Sequence, residues 1–508
     1  MKSPNNHFES DALPFRCAPG QGAAQVTVMC FRNFSKLLYM IINKKMLGVI
    51  IYIFIFFNII DVSAETVNDF SRLNPIQVGS VVDISSVDDV IRTINYANRN
   101  NLKVSISGRK NSQGGHTAKK GGVVLNMNTY NNVVKFSPEL KTIKVESGVT
   151  WSAVQKFIND YGLAVKVAQS ANIFSVGGSL SANVHGRDPR FGTIAETVNS
   201  FNIVLSDGRH VEASRTQNQE LFYSAIGGYG LLGVITEVEL SLIDNHWLKK
   251  TVVELPYSEY TRLLDRMLGT NLALHYGRCS IVKNDGFFRD CISVNYIQQD
   301  KIASIVDIEP EKNASRDKYF FGLSRDYSWG KSLRWWLQGV LVDSPNEEIS
   351  ISRNNAMSPP ISFLEHYSEK NADILQEYFV PKSNFNEYLQ EMREILLTHD
   401  VNVLSMTLRF VPKSEEVFLN YAGTDIISVV LYMNIDLDKQ GLEKSRIWTA
   451  ELVESILRYQ GKYYLTYQRF PTKSQFQRTY PGWSVFDRIK SKYDKNGVFS
   501  NEFYSQYF

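Results

Sequence analysis

Cysteine is scarce: four residues in a chain of 508 cannot staple it, so the fold must rest on buried apolar cores. An excess of one charge is missing too. Lysine and arginine total 55 against 52 aspartates and glutamates, a net charge of +3, which excludes a phosphate-tracking groove as the organising feature and nucleic acid as a default partner. The eight histidines show no metal-ligand spacing, so no metal site is expected. There is no internal repeat and no low-complexity tract. At 44% hydrophobic and 21% charged residues the composition is that of an ordinary globular chain, not a disordered or collagen-like one.

The longest apolar run, Leu47–Phe57, is short for a membrane span. Lys44 and Lys45 precede it and Val62, Ser63 and Ala64 follow, the pattern of a secretory signal cleaved after Ala64. Residues 1–64 therefore read as an extension and signal, with Met40 as the functional start. The protein is expected to be exported, periplasmic or secreted; the alternative is an anchor at the membrane through residues 47–60. Export permits disulfides. Cys17 and Cys30 precede the signal, whereas Cys279 and Cys291 flank Asn284-Asp285-Gly286, which reads as a three-residue hairpin loop with glycine in the left-handed position. Counting outward sets Cys279 opposite Cys291, within bridging distance; two unbridged buried thiols are the alternative.

From Ile76 to about Asp244, short strand patterns at 103–107, 122–127 and 142–147 alternate with helical patterns at Val87–Asn98 and Trp151–Tyr161, the latter capped by Thr150. After His246 longer strands and aromatic-rich amphipathic helices mark a second domain, 245–460. The tail from Gly461 has no core of its own and is expected to return to the domain 65–244.

A literal G-x-G-x-x-G spans Gly228–Gly233. A dinucleotide fingerprint needs a strand before it and a helix after it, and here a helical ELFYSAI precedes and a strand VITEVEL follows, so a turn between helix and strand is the better account. Two other loops carry more chemistry. Ser107–His116 (SGRKNSQGGH) follows a strand and is rich in residues whose backbone amides can turn inward as an anion nest, suited to a diphosphate. Ser175–Asp188 (SVGGSLSANVHGRD) is poor in large side chains, so a flat heterocycle can lie against its backbone. Two such loops in one domain suggest a dinucleotide.

These two loops, with LFYSAIGGYGLLGVITEVEL and the C-terminal YYLTYQRFPT, YPGW and KYDKNGVFSNEFY, resemble the vanillyl-alcohol oxidase/para-cresol methylhydroxylase (PCMH) superfamily of FAD-dependent oxidoreductases. In pattern the chain is similar to decaprenylphosphoryl-ribose oxidase and to the aldonolactone and alditol oxidases. The resemblance covers nearly all of residues 65–508 and implies an α+β fold of two domains, a PCMH-type FAD-binding domain and an α/β substrate domain. It implies that Gly108, Arg109, Lys110, Asn111, Ser112, Gln113, Gly114, Gly115 and His116 wrap the FAD diphosphate. It further implies that Ser175, Val176, Gly177, Gly178, Ala182, Asn183, Val184 and His185 line the diphosphate and flavin. Ser170, Val234 and Tyr464 match other FAD-contacting positions. Asn111 stands where covalent members carry the flavin-linking histidine, so noncovalent FAD is expected.

Flavin chemistry asks for a proton acceptor and a positive charge beside a hydroxyl-bearing carbon. Gln376 and Tyr378, two apart on one strand, share a face; Arg409 is an isolated cation in an apolar strand; Tyr467 stands where the decaprenylphosphoryl-ribose oxidase has a catalytic lysine. These four are the candidate catalytic residues. Tyr378 reads equally as a core aromatic and Arg409 as a structural ion-pair partner. His185 reads as packing near the cofactor, with no carboxylate partner evident. The expected activity is oxidation of a sugar, polyol or lactone hydroxyl, with oxygen, a quinone or a protein reoxidising the flavin; the alternatives are reduction of a C=C bond, or a flavin-carrying binding protein without turnover.

Overall fold

The computed structural model describes residues 65–508 apart from 304–305, 312, 343–348, 365 and 415–416; the signal and the first two cysteines lie outside these residues. The helix Val87–Arg99 shows how local sequence sets the first layer. Ser86 accepts the amide of Asp89 at 3.2 Å, Asp88 and Asp89 occupy the first turn, and Val90, Thr93, Ile94 and Ala97 form the buried stripe. That stripe packs into a small core with Val104, Leu125 and Phe499. Ser80–Asp83, Val123–Asn126 and Val104–Ser107 form a parallel three-stranded sheet in that order. The helix Trp151–Asn159, capped by Thr150, lies beside a six-stranded sheet whose long strand is Val234–Asp244.

At Asn245 the chain leaves that sheet and enters an eight-stranded one through His246–Pro256. Asn245 is fully buried; it donates its amide to Gly162 O at 2.8 Å and accepts that of Asn354 at 3.0 Å, so the crossing is hydrogen-bonded on both sides. Asn402–Val411, Ile426–Asp436 and Asn371–Pro381 are the fifth, sixth and seventh strands of the eight-stranded sheet, antiparallel to one another in turn. One face is covered by the helices Phe385–Thr398 and Lys439–Arg458, as the contacts of Tyr378 with Tyr388 and of Gln376 with Thr449 show. The C-terminal segment binds the eight-stranded and the three-stranded sheets: Tyr463 pairs with Tyr378, and Ser105 Oγ donates to Ser500 O at 2.6 Å. A single apolar cluster runs through both regions, from Ile143 to Tyr507.

Cys279 and Cys291 are opposite one another in the register of Leu272–Cys279 and Asp290–Ile302 and are joined by a disulfide. The expected three-residue loop is not formed. The strands stop at Cys279 and Asp290, and the left-handed residue is Phe288, at φ 58°, rather than Gly286. Phe287 and Phe288 are buried and stack at 4.3 Å, and burial of two aromatic rings outweighs the local turn preference. A cross-link spanning 12 positions restricts the unfolded chain by roughly 3 kcal/mol. Reduction should lower the unfolding free energy measured in denaturant by about that amount, and neither thiol should alkylate before reductant is added.

Candidate active site

The loop after Val104–Ser107 meets the start of the short helix Val176–Ser181 at Gly108, where a Cβ would collide with Ser175 Oγ, and the helix in turn lies against the end of the strand Thr142–Glu146. A Cβ on Gly177 would fall 2.6 Å from Ser147 Cβ, and only its absence lets Gly177 N donate to Ser147 O at 2.8 Å. Between these loops, the C-terminal segment and the eight-stranded sheet lies a cleft of about 820 Å³, at the upper end for ligand sites.

Of the residues expected to hold the cofactor, Gly108, Arg109, Lys110, Asn111, Ser112, His116, Ser170, Ser175, Gly177, Gly178, Ala182, Val184, His185 and Tyr464 line the cleft. Six do not. Gln113 is turned away, accepting the Leu375 amide at 3.1 Å and bonding Gln468, so it ties the loop to its neighbours. Gly114 and Gly115 make the turn itself, Gly115 at φ 69°. Val176 and Val234 are fully buried in apolar cores, and Asn183 is a buried left-handed residue at φ 47° whose carbonyl accepts from Tyr421 Oη. Gly233 and Ile235, on either side of Val234, reach the cleft instead, as do Tyr229 and Gly230 of the glycine-rich turn.

Among the described residues, the amides of Arg109, Asn111 and Ser112 meet no protein acceptor, and Ser147 Oγ is buried without a partner. Unpaired donors on a glycine-rich loop, set against a wall of small residues, fit the diphosphate and flavin of FAD. His116 is held between Phe503 and Tyr229, with ring centroids at 4.7 and 4.9 Å. Burial, reinforced by the charge of Arg469, lowers its pKa to about 3, so it is neutral.

The chemistry at the sheet side centres on a residue that sequence reasoning passes over. Gln376 and Tyr378 do share a face, but it is the one covered by helices. Gln376 Nε2 donates to Thr449 Oγ1 at 2.9 Å, and Tyr378 Oη donates to Gln376 Oε1 at 2.6 Å. Neither lines the cleft; the residue between them, Glu377, does. A carboxylate inside the apolar string ILQEYFV is itself a signal, because such a group is buried only when paired.

Glu377 is paired on every side. His185 Nε2 lies 2.6 Å from its Oε1, Ser428 Oγ donates to the same oxygen at 2.5 Å, and Tyr467 Oη donates to Oε2 at 3.3 Å. His185 thus has the carboxylate partner that its sequence context does not reveal. Burial pushes the Glu377 carboxyl up, but His185, Arg409 and Ser428 together outweigh it and hold it below the usual carboxylate range. Arg409 also lines the cleft, and its Nε has no hydrogen-bond partner. Burial and the Glu377 charge push Tyr467 well above its ordinary value of 10 despite Arg409, so the phenol stays protonated and is no anionic base.

Residues 79–214 match the family described as FAD binding domain, and residues 367–507 match D-arabinono-1,4-lactone oxidase. L-gulonolactone oxidase of Mus musculus is 23% identical over 440 residues, 84% of this chain and 94% of that protein. L-galactono-1,4-lactone dehydrogenase of Arabidopsis thaliana is 26% identical over 42% of this chain and 35% of its own length. Cytokinin dehydrogenase 2 of the same plant is 28% identical over 38% of this chain and 39% of its own. The loops that frame the cleft fall within the first match and Glu377, Arg409, Tyr464 and Tyr467 within the second, and the chain belongs to the PCMH-type FAD-dependent oxidoreductases.

Proposed function

We propose that this enzyme oxidises a hydroxyl-bearing carbon of a sugar, polyol or lactone, and that Glu377, Tyr467 and Arg409 carry the proton and charge of the reaction. The observation that supports it is the convergence of these three side chains and His185 on the cofactor cleft, with Ser428 behind them bonded to Glu377. The matches to lactone oxidases and dehydrogenases point to the same substrate class.

FAD, held by the loops 108–116 and 175–185 and by Tyr464, supplies the hydride acceptor when bound. The protein handles the rest. Tyr467 oxygen receives the substrate hydroxyl proton as its own proton passes to Glu377 Oε2, so the phenol works as a relay and the carboxylate as the final base. Arg409 supplies positive charge where negative charge builds. His185 and Ser428 keep Glu377 ionised and oriented.

Anaerobic addition of candidate lactones, polyols and sugars should bleach the flavin absorbance. Tyr467→Phe should keep FAD and slow that bleaching by about tenfold or more; unchanged kinetics would leave Tyr467 a packing residue. FAD is proposed to be noncovalent, a reading supported by Asn111 on the cleft wall and by the clamping of the His116 ring between Tyr229 and Phe503. Acid precipitation should release all the yellow colour to the supernatant; colour retained in the pellet and freed by His116→Ala would identify His116 as the attachment point. Export is likewise a proposal, supported by the Cys279–Cys291 disulfide.

A further inference from the structure

The wall that the eight-stranded sheet gives to the cleft changes character along its strands. Register sets Arg409 opposite Ser428 and Glu377 opposite Val430, with Leu375 opposite Tyr432 one further step out. A step of two residues is roughly 7 Å, so the polar cluster gives way to an apolar stretch about that far from Glu377. Leu375 is half-buried between the buried Ile374 and Gln376 because it alone of the three faces the cleft. Tyr432 is buried and has spent its hydroxyl on Leu364 O at 3.0 Å. Phe321 packs behind Tyr432 at 5.7 Å, so this wall is backed by apolar core. Leu364 and Tyr367 continue it outward.

Two polar groups near this stretch, Glu311 and Ser362, are engaged with one another. Glu311 accepts both the hydroxyl of Ser362, at 2.7 Å, and its amide, at 3.0 Å. A free polyol or aldonolactone extending this way would press its outer hydroxyls against leucine, valine and tyrosine rings and lose their hydration without replacement. An alkyl or aryl group would instead gain by leaving water.

We propose that the substrate is amphipathic: its reacting hydroxyl sits at Glu377 and Tyr467, and an apolar extension lies along Leu375, Val430 and Tyr432. This rests on the hydroxyl-oxidising reading of the site and narrows its substrate class. The test is binding of a series of 1,2-alkanediols, from propane-1,2-diol to octane-1,2-diol, to the FAD-loaded enzyme, followed by the flavin difference spectrum. Affinity should rise roughly fourfold per methylene over the first three or four. Leu375→Asn should flatten the series while leaving FAD content unchanged, and Val430→Thr should reduce its slope. A series flat in chain length, failure of every member to bind, or a slope indifferent to both substitutions would overturn the inference. The two readings fail separately: reduction by hydroxyl compounds alongside a flat series sinks only the apolar extension, whereas a rising series without reduction by any hydroxyl compound sinks the oxidation.

Discussion

Glu377→Gln should retain FAD and cut flavin reduction by a factor of about 10²–10⁴, the usual contribution of a positioned general base. The amide keeps the volume of the side chain and can still accept from Ser428, so the cluster stays packed while the proton acceptor is lost. The pH profile should agree. Glu377 is held below its ordinary 4.5, so the ionised, active form is fully present above 4.5 and is lost only as pH falls through the lower folded value. The same group contributes to stability over the same range, because below 4.5 the unfolded chain takes up a proton that the folded site still refuses. Stopped-flow reduction of wild type and variant across pH checks both. Retention of more than a third of the wild-type rate by the amide, or a wild-type midpoint near neutrality, would assign the base to another group.

Asp188→Ala should destabilise the fold by about 3–5 kcal/mol, the usual result of removing one partner from a buried ion pair. Asp188 and Arg353 are both 1% exposed and 2.8 Å apart. Asp188 also receives Arg190, and Arg353 donates to Lys166 O at 3.0 Å. Burial lowers the pKa of Arg353 and Asp188 opposes that, so without the carboxylate a buried cation is left uncompensated. The pair fastens the segment after His185 to the short helix Arg353–Ala356, and so holds the cofactor loop against the second region. Denaturant titration of the FAD-loaded protein measures the loss, and Asp188→Ala with Arg353→Met should recover most of it. A loss below about 1 kcal/mol would show that the pair is solvent-screened.

Features that depend on neighbours in the chain are legible in the amino-acid sequence alone. The helix Val87–Arg99 follows from its serine cap and apolar stripe, and the loops at 108–116 and 175–185 follow from glycines that permit what other residues forbid. The turn Gly228–Gly233 links helix to strand, as its flanking patterns indicate, yet Tyr229 and Gly230 reach the cleft through tertiary placement alone.

By itself the sequence determined the helix Val87–Arg99, the strands around 103–107, 122–127 and 142–147, the two small-residue loops and the alternation that puts Gln376 with Tyr378, because each depends on spacing along the chain; it paired Cys279 with Cys291 through a loop that is not formed. Only the tertiary structure decided which side of Asn371–Pro381 meets the cofactor cleft. Alternation separates two faces without saying which is covered, and here the helices Phe385–Thr398 and Lys439–Arg458 took the face of Gln376 and Tyr378. Glu377 was left to meet His185, 192 positions earlier in the chain, and a carboxylate in that setting is held by partners that no local pattern can supply.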